Sequence, residues 1–62
     1  MTTVRRVEQA LTTAGLRHLV AGVEKNHAGR GEVVLWINGT GHPVWSPREA
    51  LTLVAGFRAL SD

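Results

Sequence analysis

The run Val33-Val34-Leu35-Trp36-Ile37, followed at once by Asn38-Gly39-Thr40-Gly41, constrains this chain more than any other feature. β-Branched and aromatic residues in strand-length succession predict a strand. Asn-Gly is the strongest short cue for a hairpin turn. The return strand, His42-Pro43-Val44-Trp45, is short, and Pro43 has no amide hydrogen to give a ladder, which places this strand at an edge.

Side chains alternate along a strand, so Val33, Leu35 and Ile37 point one way while Val34 and Trp36 point the other. Both faces are therefore apolar. A turn of two or four residues pairs Val44 with the Val33 face and puts Trp45 on the face of Val34 and Trp36, whereas a three-residue turn moves Trp45 across to the Leu35 face. A two-stranded ribbon of this kind must be covered twice. Either helices cover both faces and the tryptophans are core, or all helices lie on the Val33/Leu35/Ile37 face and a second chain covers the other. The second arrangement is expected, because helices in mutual contact make a better core than helices held apart by two strands. The candidate protein interface is then Val34, Trp36 and Trp45, together with Val44 of the return strand.

The segments flanking the hairpin read as helical. Val4, Val7, Leu11 and Ala14, then Leu16, Leu19, Val20 and Val23, recur at three- and four-residue steps. Gly15 followed by Leu16 resembles a left-handed helix end with an apolar residue folding back, so two short helices, about 4–14 and 17–26, are expected in preference to one long one. Asn26 to Gly31 loses the period and reads as a loop. After the hairpin, Ser46-Pro47-Arg48-Glu49 combines a serine N-cap, a first-turn proline and a glutamate placed for a capping box. Ala50, Leu53, Val54, Phe57 and Leu60 continue at helical spacing. The expected fold class is a single α+β domain over residues 1–62: a helical N-terminal half, a central two-stranded antiparallel hairpin and a capped C-terminal helix.

Sixty-two residues lie near the lower limit for a self-supporting core. Domains this small usually add disulfides, a metal or self-association. There is no cysteine, which removes disulfide staples and thiolate metal ligands, so a homodimer is expected. No apolar run approaches the roughly 20 residues of a membrane span, and the start Met1-Thr2-Thr3-Val4-Arg5-Arg6 does not read as a signal peptide. A cytoplasmic location, with no membrane partner, is the corresponding expectation.

Candidate chemistry is sparse. His18, His27 and His42 fall on different segments without metal-ligand spacing, so no metal or other cofactor is expected. Ser46 and Glu49 are explained by the helix start, which leaves no hydroxyl, histidine and carboxylate that the sequence brings together, and an enzyme is not expected. The loop His27-Ala28-Gly29-Arg30-Gly31 lacks the lysine and hydroxyl residue of a phosphate cradle and precedes a strand rather than a helix.

The pI of 10.6 looks basic, yet the formal charge is only +2. Arg5, Arg6, Arg17, Lys25 and Arg30 all precede the hairpin and would serve a sequence-tolerant DNA- or RNA-binding surface. Against that reading, the hairpin tip carries no cation and the tryptophans lack cationic flanks. Helix-hairpin-helix order is too widely shared to carry function by analogy. The leading expectation is a non-enzymatic protein-binding module that self-associates, acting as a regulator, inhibitor or adaptor of the type that phages and mobile elements encode. Nucleic-acid binding and a structural subunit of a larger assembly are the alternatives.

Overall fold

A computed structural model describes residues 2–27, 29 and 31–61, and shows an α+β fold with the order α1 (Val4–Thr13), a 3₁₀ turn (Arg17–Leu19), β1 (Gly22–Lys25), β2 (Val33–Ile37), β3 (Thr40–Val44) and α2 (Pro47–Ser61). The three strands form one antiparallel sheet in the order β1-β2-β3. Helix α1 packs on β1, α2 on β3, and the two helices on each other. All helical cover thus lies on one side of the sheet.

Local motifs set the boundaries. Thr3 caps α1, its Oγ1 accepting from the Arg6 N–H at 3.2 Å. At the other end the Gly15 N–H donates to the Thr12 carbonyl and the Leu16 N–H to the Leu11 carbonyl, the paired bonds of a Schellman motif. Leu16 is buried as a result. Asn38 and Gly39 hold φ of 51° and 80°, the two left-handed positions of a type I′ turn. Ser46 Oγ accepts from the Glu49 N–H at 3.1 Å and starts α2, as its sequence anticipates.

The two-residue turn fixes the register: Ile37 pairs with Thr40, Trp36 with Gly41, Leu35 with His42, Val34 with Pro43 and Val33 with Val44. Val33, Leu35, Ile37 and Val44 therefore face the helices, where they bury with Val7, Leu11, Leu16, Val20, Ala50 and Val54. These residues are the core. Pro43 lies in an edge strand, where a missing ladder donor is tolerated.

The chain departs from expectation between residues 17 and 26. In place of a second helix, the 3₁₀ turn leads into a third strand, pairing Gly22 with Trp36, Val23 with Leu35, Glu24 with Val34 and Lys25 with Val33. The apolar steps at Leu16, Leu19 and Val20 are real but serve a turn: Val20 is extended (φ −109°, ψ 126°) and buried, and Val23 shares the inner face with Leu35. Arg17 holds this turn, donating from Nη1 to the Val20 carbonyl at 2.7 Å and from Nε to Glu8 at 3.4 Å. A two-stranded hairpin is marginal in water, so pairing the open edge of β2 outweighs a weak helical pattern.

Candidate functional site

With both helices on the inner face, the outer face of the sheet carries Gly22 and Glu24 from β1, Val34 and Trp36 from β2, and Gly41 and Pro43 from β3. Trp36 stands at the centre of the row Gly22-Trp36-Gly41. A Cβ at Gly41 would lie 3.2 Å from the Trp36 ring and from Val34 Cγ1, and one at Gly22 would lie 3.8 Å from Trp36 Cδ1. The indole thus lies over two positions without side chains, one on each neighbouring strand. Its Nε1–H donates to Glu24 Oε1, which holds the ring down toward β1. The remaining surface of the ring is open, and Trp36 is 38% exposed. A shallow groove runs past it, bordered by Glu24, Lys25, His27, Val34 and Pro43.

Trp45 follows β3 with the parity of Gly41 and Pro43 and is 59% exposed. Four residues separate it from the position opposite Trp36, roughly 13 Å along an extended strand. The two indoles therefore mark the ends of a row whose middle is the Val34–Pro43 pair. The backbone at Trp45 is anchored, its carbonyl accepting from Thr2 Oγ1 at 2.9 Å.

Of the interface residues expected from the sequence, Val34 and Trp36 lie on this outer face and Trp45 is exposed beyond its end. Val44 does not belong with them. It pairs with Val33 on the helix-facing side and is 1% exposed, because the two-residue turn gives it the parity of the core. Gly22, Glu24, Gly41 and Pro43 were not singled out for the site. Gly41 and Pro43 follow once the turn length is known, but Gly22 and Glu24 depend on a third strand that the helical spacing concealed.

The cations expected to serve a nucleic-acid surface do not form one group. Arg5 and Arg6 are exposed on α1 but border separate shallow clefts, one with Gln9 and Thr12, the other with Pro47 and Leu51. The Arg17 guanidinium is engaged by Glu8 and Val20. Lys25 ends β1, and Arg30 lies outside the described residues, as does Ala28 of the glycine-bearing loop. The histidines are also dispersed. His18 and His27 are exposed, while His42 sits edge-on to Phe57 with ring centroids 5.1 Å apart. Among the described residues no three His, Cys, Asp or Glu side chains are placed to share a metal ion, and no helix is long and apolar enough to cross a membrane.

Comparison of the chain with protein-family models, with curated proteins and with solved structures gives no match.

Proposed function

We propose that this chain is a non-enzymatic protein-binding module, a small regulator, inhibitor or adaptor, whose docking surface is the outer face of the sheet. One observation carries the reading: both helices cover the same side, so Val34, Trp36 and Pro43 face outward with no element of the chain over them. Aromatic anchors in apolar patches with polar rims are the usual energetic centre of protein interfaces.

The sheet edges are poor alternatives as docking sites. β3 carries Pro43, and β1 ends in Glu24-Lys25, both devices that discourage another strand from pairing. Protection of the edges leaves the face. Nucleic-acid binding has less support, since the arginines belong chiefly to the helical layer and the Trp36 groove pairs one lysine with one glutamate.

Affinity capture from the native host with nuclease treatment tests the reading, using the natural chain and Val34→Lys as parallel baits. Proteins retained by the first and lost by the second are expected. The same set of proteins on both baits, or none on either, would remove the outer face as a protein-docking surface.

A further inference from the structure

Resting on that reading, we propose that the occupant of the outer face is a second copy of this chain, the two sheets meeting face to face with Trp36 of each protomer in the middle of the contact.

Charge is the first reason. Arg5, Arg6, Arg17, Arg48 and Arg58 belong to α1, the 3₁₀ turn and α2, all on the helix side, while at the groove beside Trp36 Glu24 offsets Lys25. Two copies of a chain with net charge +2 repel least where they present this face to each other. An acidic partner would be drawn to the helix side instead. A second copy fits the face that carries the smallest excess charge.

Shape and area agree. A two-fold interface must be complementary to itself, and a sheet face with glycines on both sides of a central indole has no protruding side chain of its own to exclude a copy. Sheets stacked in this way sit about 10 Å apart with side chains from both inner surfaces filling the space. A standard interface takes about 800 Å² from each partner. That is roughly a fifth of the 4298 Å² surface of this chain, which is the share expected of one broad side of a two-layer body. Reaching it requires the whole row from Trp36 to Trp45, so both indoles take part.

Sedimentation equilibrium on the full chain tests the assignment. A dimer in the micromolar range is expected, with Val34→Lys raising the dissociation constant at least about tenfold and leaving the helical circular dichroism unchanged. A chain still monomeric near 1 mM, or a dimer indifferent to Val34→Lys, overturns it. Should Val34→Lys fail to fold, Trp45→Phe makes Trp36 the sole indole, and its emission should move to the blue and gain protection from acrylamide as the dimer forms. Emission from Trp36 that stays constant across dimerisation also overturns the proposal. A monomer that nevertheless loses captured proteins on Val34→Lys would sink the second copy and leave the protein-binding reading intact.

Discussion

A Cβ built on Gly41 would stand 3.2 Å from Cη2 of Trp36, so the indole occupies the space that any other residue at position 41 would need. Gly41→Ala therefore has to lift the ring by a few tenths of an ångström. Overpacking of this kind costs about 1–3 kcal/mol. Urea unfolding should show a loss at the lower end of that range, with Trp36 emission in a Trp45→Phe background shifted to the red. Unchanged emission would mean that the ring is not held as described.

Trp36 and Leu35 are neighbours in β2 with opposite fates, one 38% exposed on the outer face and the other fully buried beneath the helices. Leu35→Ala should cost about 2–5 kcal/mol and unfold a domain of this size. For Trp36→Ala a loss of at most about half as much is expected, with the helical circular dichroism retained. Equal destabilisation by the two substitutions would return Trp36 to the core.

Gly31 combines a φ of +81° with close approach to β3, since a Cβ there would stand 2.9 Å from the Val44 nitrogen. Both the backbone conformation and the space exclude a side chain. Gly31→Ala should lose about 2 kcal/mol or more, measured by thermal or denaturant unfolding. A change below about 0.5 kcal/mol would contradict this geometry.

Arg17 couples the 3₁₀ turn to both α1 and the approach to β1 through Glu8 and the Val20 carbonyl. The ion pair is part-exposed and worth little, while the charged hydrogen bond to the carbonyl at 2.7 Å should matter more. Arg17→Ala is expected to cost about 1–2 kcal/mol with weak dependence on salt, and Glu8→Gln well under 1 kcal/mol. The reverse order in denaturant titrations would show the ion pair to be the stronger tie.

Features that depend on a few consecutive residues were legible in the sequence. The Asn38-Gly39 turn, the Gly15-Leu16 helix end and the Ser46-Pro47 helix start each carry their own steric or hydrogen-bonding reason, and each appears in the structure. Strand β1 was not legible, because Gly22-Val23-Glu24-Lys25 has no strand signal of its own and forms by pairing with residues about ten positions away. Its absence from the reading also hid Glu24 as the partner of Trp36. Val44 illustrates a narrower limit: its side of the sheet is decided by turn length, and a one-residue difference reverses it.

Packing of α1 against α2 joins the first helix to the last, and Ala50 and Val54 of α2 supply fully buried side chains to the layer that also holds Leu35. Detaching α2 would thus uncover the inner side of β2, while detaching α1 would uncover it from the β1 side. No portion large enough to persist alone remains after either step. Amide hydrogens of β2, the strand paired on both edges, should consequently exchange with solvent only through global opening, at one shared protection level that matches the unfolding free energy from denaturant.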